Sequence, residues 1–97
     1  MATYIMLVNW TDQGVRTAKD TVNRARAFRE QAKAMGVTVG TVNWTLGAYD
    51  LVISLDSPDD ETTTRMGIAL AAQGNVRTST MRAFGEDDME RIVGGLK

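Results

Sequence analysis

Ninety-seven residues, 43% of them hydrophobic, can fill one core but not two, so a single domain over residues 1–97 is expected. Eleven basic and twelve acidic side chains leave a net charge of -1, which supplies no general attraction for nucleic acid or an anionic membrane. With neither cysteine nor histidine, the chain has no disulfide, no thiolate nucleophile and no imidazole ligand, and neither cofactor nor metal is expected.

The start, Met1-Ala2-Thr3-Tyr4, lacks the basic segment of a secretory signal, and the apolar run through Val8 is too short to cross a bilayer. A cytoplasmic location is therefore expected, where the glycosylation patterns Asn9-Trp10-Thr11 and Asn43-Trp44-Thr45 meet no enzyme. Tyr4 to Trp10 has strand composition with apolar residues on both faces: Tyr4, Met6, Val8 and Trp10 on one, Ile5 and Leu7 on the other. Thr11 or Asp12 is placed to cap a helix, and Val15, Ala18, Val22, Ala25, Phe28, Ala32 and Met35 then recur at helical spacing until Gly36.

Val37 to Leu46 reads as a second strand, Gly47 as a turn, and Tyr49 to Asp56 as a third strand with Tyr49, Leu51, Ile53 and Leu55 on its apolar face. Ser57 as cap, Pro58 at the first helical position and Asp59, Asp60 and Glu61 in the first turn start a helix, whose buried stripe is expected at Met66, Ala69 and Leu70. Gly74 ends that helix, Val76 to Phe84 forms a fourth strand, and Glu86 to Val93 makes a short closing helix with Met89, Ile92 and Val93 on one side. The order is βαββαβ plus a terminal helix: an α+β, ferredoxin-like fold with a four-stranded antiparallel sheet and two helices on one face. Its other face then carries the apolar residues of the first strand uncovered, which predicts a homodimer with sheets face to face.

Trp10, Trp44 and Tyr49 are large amphipathic rings suited to a pocket or a subunit contact, although ordinary packing uses them as readily. The second strand is expected to run antiparallel to the first, which puts the two tryptophans near opposite sheet ends. Tyr49 and Asp50, as strand neighbours, point to opposite faces and cannot act jointly on one atom; Asp50 alone is a candidate base, or else it fixes the turn after Gly47 by a hydrogen bond or pairs with an arginine. Asp56, Asp59, Asp60 and Glu61 match no metal-loop spacing and suit a helix start better. Arg16, Lys19, Arg24, Arg26, Arg29 and Lys33 give the first helix a basic stripe, read as a solvated outer face, in which Arg16 with Asp20 and Arg26 with Glu30 are spaced to pair. RNA-recognition modules share the element order, but Tyr49-Asp50-Leu51-Val52-Ile53 lacks their basic-aromatic signature. Arg77 and Arg82 alternate to opposite faces, so one of them, not both, is expected in any cleft.

Taken together, Thr11-Asp12-Gln13-Gly14, Trp44-Thr45-Leu46-Gly47 with Tyr49-Asp50, Pro58-Asp59-Asp60-Glu61, and Val76-Arg77-Thr78 with Thr80 and Arg82-Ala83-Phe84 resemble the GYD domain family over nearly the whole chain. The resemblance implies a dimeric α/β-barrel type of assembly and maps the family's glycine, tyrosine and aspartate onto Gly47, Tyr49 and Asp50, without bringing a reaction. Candidate ligand-binding residues are Trp10, Trp44, Gly47, Tyr49, Asp50 and Arg82, with Tyr49 and Asp50 as the weak catalytic candidates. The leading expectation is a homodimer that binds or senses a small molecule. A cofactor-independent enzyme acting on a small apolar substrate and a structural assembly partner are the alternatives.

Overall fold

The computed structural model describes residues 1–97. Strand β1 (Ala2–Trp10) leads into a short helix α1 (Asp12–Arg16), a 3-10 turn (Ala18–Asp20) and helix α2 (Thr21–Ala34). Strands β2 (Thr38–Trp44) and β3 (Leu51–Ser57), helix α3 (Asp60–Ala72), strand β4 (Val76–Ala83) and helix α4 (Glu86–Gly94) follow. All strand pairings are antiparallel, in the order β2-β3-β1-β4, which is the ferredoxin-like arrangement expected from the chain order.

Period-two burial sets the core. Tyr4, Met6 and Val8 of β1 and Leu51, Ile53 and Leu55 of β3 are buried on one sheet face, where Phe28 and Ala32 of α2 and Met66 of α3 pack against them. The intervening residues Ile5, Leu7 and Val52, with Met81 of β4, share the opposite face and stay at least partly exposed. That face has a polar fringe: Thr3 donates to Asp56 at 2.8 Å, and the Thr41 amide donates to Ser54 Oγ at 2.8 Å.

The long first helix expected from the sequence is broken at Thr17. Arg24 holds the break together: its guanidinium donates to the carbonyls of Gly14 and Thr17, both at 3.0 Å, and satisfies the end of α1. The break takes Val15 out of the α2 stripe, and Val22 also remains exposed. It removes the geometry for an Arg16–Asp20 pair, and Arg26 and Glu30 are not in contact either; Arg91–Asp88 is the ion pair present. At α3 the cap is Asp59 rather than Ser57, because β3 continues through Ser57, which pairs with Ala2 and is buried. The Asp59 side chain accepts from the Thr62 amide at 2.8 Å. Buried Thr63, not exposed Ala69, joins Met66 on the inner stripe of α3.

Candidate functional site

The sequence candidates fall into two places at opposite ends of the sheet. The first is an aromatic end built where β1 and β2 finish. Val8 pairs with Leu51 and Leu51 with Trp44, so Trp10 and Trp44 lie at the same end, on the helix-covered face. The expected separation of the tryptophans fails because β3 lies between β1 and β2, which therefore run in the same direction. Trp44 Nε1 donates to Thr21 Oγ1 at 3.0 Å, and Thr21, Trp10, Phe28 and Leu51 help to line an apolar void of about 50 Å3, too small for a metabolite.

Asp50 ties this end together through the backbone. Its amide donates to the Val8 carbonyl at 2.8 Å, and its carboxylate Oδ2 accepts the Trp10 amide at 2.9 Å. The β1–β3 ladder is thus prolonged by a side chain where β3 has ended. The Asp50 carbonyl in turn accepts from the Thr45 amide at 2.8 Å, closing the loop that carries Gly47 and Tyr49. Gly47 has φ +134° with open space around it, so the backbone conformation, not crowding, calls for glycine. Tyr49 sits in this loop rather than on β3, with its ring partly exposed.

The second place is a groove between α3 and β4, about 550 Å3 in volume. Tyr4, Thr78, Thr80 and Arg82 come from the sheet, and Asp60, Thr63, Thr64 and Gly67 from α3. The Tyr4 hydroxyl donates to Asp60 Oδ1; that bond, together with burial, raises the phenol above its ordinary value. Arg82 Nη1 donates to the Thr3 carbonyl at 3.0 Å and to the Ala83 carbonyl. Its guanidinium lies 4.7 Å from the Phe84 ring centre and 5.7 Å from that of Tyr4, within cation–π reach of both. Arg77 lines the same groove, against the expectation that alternation would keep it apart from Arg82. β4 is an edge strand, so a long side chain can reach round its open side.

Arg82 is therefore remote from the other five candidates. It pairs with Tyr4, about 20 Å along β1 from Trp10 at the usual strand rise. The acids near the start of α3 are spent on separate contacts: Asp56 on Thr3, Asp59 on the helix cap and Asp60 on Tyr4. The backbone hydrogen bond from Thr62 holds the Asp59 carboxyl below the usual carboxylate range, and the Gly85 amide does the same for Asp88 at the start of α4. No three acids converge as a metal site would require. The groove threonines were missed in the sequence; their signal is that β4 places Thr78 and Thr80 at inward positions where the other strands place aliphatic residues.

The chain belongs to the GYD domain family, whose sequence pattern matches residues 4–93. No curated protein and no solved structure is matched by it. No helix is long and apolar enough to cross a membrane.

Proposed function

We propose that this GYD domain is a cytoplasmic homodimer, paired through its uncovered sheet face, that binds a small anionic molecule in the α3–β4 groove. The observation that carries the reading is the groove's chemistry. Its volume of about 550 Å3 lies within the usual range for small-ligand sites. Two arginines, neither in an ion pair, border it, and four threonine hydroxyls line it. Guanidinium groups without a carboxylate partner recognise carboxylate or phosphate, and hydroxyls add orientation. Asp60 offsets part of this charge, but two guanidinium groups against one carboxylate leave the groove lining net positive.

Melting the pure protein against a panel of small carboxylates and phosphate esters tests the proposal. Saturation at a hundred times Kd stabilises by about 2.7 kcal/mol, enough to move the midpoint by roughly 10 °C or more in a chain this size. Arg82→Gln and Arg77→Gln should each reduce the shift. A panel that moves the midpoint of neither the parent protein nor any variant refutes the anionic ligand. The enzyme alternative has no comparable support: the carboxylate of Asp50, its candidate base, is occupied by the Trp10 amide.

A further inference from the structure

The α3–β4 groove is long and has an arginine toward each end. Its α3 wall runs from Asp60 to Ala71, about 17 Å at the helical rise, and its β4 floor from Arg82 back to Arg77, again about 17 Å at the strand rise. The two elements run in opposite directions: Asp60 meets Tyr4, which pairs with Arg82, and a Cβ on Gly67 would come 4.0 Å from Thr78 Oγ1. Arg82 therefore lies with Tyr4 and Asp60 at one end, and Arg77 lies toward Ala71 at the other. A volume of about 550 Å3 drawn out over that length is more than a lone carboxylate or phosphate fills.

The donors at both ends are unspent. Arg77 makes no hydrogen bond and no ion pair. Arg82 spends Nη1 on the carbonyls of Thr3 and Ala83, which leaves Nε and Nη2, an edge that can grip a carboxylate or phosphate with two parallel bonds. The rings of Phe84 and Tyr4, 4.7 Å and 5.7 Å away, hold that guanidinium in place before a ligand arrives.

Between the ends the lining is made of hydroxyls. Those of Thr64, Thr78 and Thr80 have no partner in the protein, whereas that of Thr63 donates to the Asp59 carbonyl at 2.9 Å. Asp60 gives one oxygen to Tyr4 and keeps the other as an acceptor that only a donor can satisfy. Arg82 and Asp60 both approach Tyr4 yet form no ion pair with each other, so each is open to a ligand. A molecule with a hydrocarbon middle would strip water from these groups and return no hydrogen bond. One that carries hydroxyls can donate to Asp60 and exchange bonds with the threonines.

We infer that the groove takes an elongated, polyhydroxylated molecule with an anionic group, carboxylate or phosphate, at each end: Arg82 and Arg77 hold the two ends, and Thr78, Thr80 and Asp60 hold the hydroxyls between them. This rests on the anionic-ligand groove proposed above and adds the ligand's length, its second charge and its hydroxyls. Titration calorimetry of the full chain tests it with named probes. Glucarate and phosphogluconate carry two acids and hydroxyls, gluconate one acid and hydroxyls, adipate two acids and no hydroxyl, and malonate two acids set close together. Glucarate or phosphogluconate should bind first in order, and the tighter of the two shows whether the ends take two carboxylates or a carboxylate and a phosphate. Arg77→Gln and Arg82→Gln should each weaken that probe by roughly tenfold to a hundredfold, down to the level of gluconate. Replacing Thr78 and Thr80 together by valine, a residue well suited to a strand, should weaken it more than it weakens adipate. Circular dichroism of each variant separates lost binding from lost fold. Gluconate or malonate binding as tightly as the two-ended probes would keep the anion groove and overturn its second end. Adipate matching glucarate would overturn the hydroxylated ligand, and no binding by any probe would remove the anion groove itself.

Discussion

Gly14 gives a test in which the sign of the effect, not just its size, depends on the structure. It lies in α1, where alanine ordinarily improves on glycine by about 1 kcal/mol. Here, however, a Cβ would stand 1.9 Å from the Asn75 carbonyl oxygen and 2.8 Å from its carbon, both backbone atoms, when ordinary contact begins at 3.4 Å. The Gly74–Asn75 turn would have to retreat by more than an ångström. That turn is tied to the start of α1 by the Thr11 amide donating to the Asn75 carbonyl at 3.0 Å and Thr11 Oγ1 donating to the Gly74 carbonyl at 2.6 Å. Gln13 adds bonds to the Gln73 carbonyl at 3.1 Å and Asn75 Oδ1 at 3.0 Å.

Losing the two Thr11 bonds costs about 1 kcal/mol each, and overpacking adds about 1–3 kcal/mol. After the helix-propensity gain, Gly14→Ala should destabilise by about 2–4 kcal/mol, a fall in melting midpoint on the order of 10–20 °C for a domain of this size. Gly67→Ala is the control. It lies in α3 with its nearest neighbour, Thr78 Oγ1, at 4.0 Å, so there the propensity gain of about 0.5–1 kcal/mol should appear as a rise. Thermal and urea melts followed by circular dichroism measure both. A Gly14→Ala protein as stable as the parent would refute the close approach of α1 to the α3–β4 turn.

Asp50→Ala leaves the half-buried Trp10 amide without its acceptor and should cost about 1–3 kcal/mol, with Asp50→Asn losing about half as much; undiminished stability in urea melts of the alanine variant would show that the carboxylate has no such role. In the β2 bulge a Cβ on Gly40 would meet Ser54 Oγ at 2.7 Å and push away the hydroxyl that binds the Thr41 amide. Gly40→Ala should therefore cost about 1 kcal/mol with Ser54 present and much less in a Ser54→Ala background, and a double-mutant cycle without coupling would contradict this. Asp59 and Asp88 titrate below their ordinary value of 3.8 when folded, so their stabilisation is present above that value and lost as pH falls through the folded one. Tyr4 titrates above its ordinary 10.0, so its contribution is present below 10.0 and lost as pH rises through the folded value. Stability against pH should accordingly fall at both ends, with Asp59→Asn flattening the acid limb and Tyr4→Phe the alkaline one.

The features legible in the sequence are those governed by a local period or a local cap. Alternation along Tyr4–Val8 and Leu51–Leu55 located the central strands and their inner face, and Thr11 was available as the cap of α1. Features that escaped are those in which one side chain completes the backbone of a distant element. Arg24, counted with a solvated basic stripe, closes the carbonyl end of α1 and so breaks the expected long helix. Tyr4, read as core, carries its hydroxyl to Asp60 on α3 and thereby frames a groove that no local pattern announces. The tryptophans were misplaced because strand order belongs to the folded sheet: only the entry of β3 between β1 and β2 puts both at one end. Asp50 joins these two lessons. As a residue type beside Tyr49 it suggests an acid or base, but the position of β3 sets it next to the unpaired Trp10 amide, and there its oxygen serves as the missing strand. Gly47, Tyr49 and Asp50 accordingly mark the turn that shapes the aromatic end, while the groove proposed to hold a ligand lies at the other end, between β4 and α3.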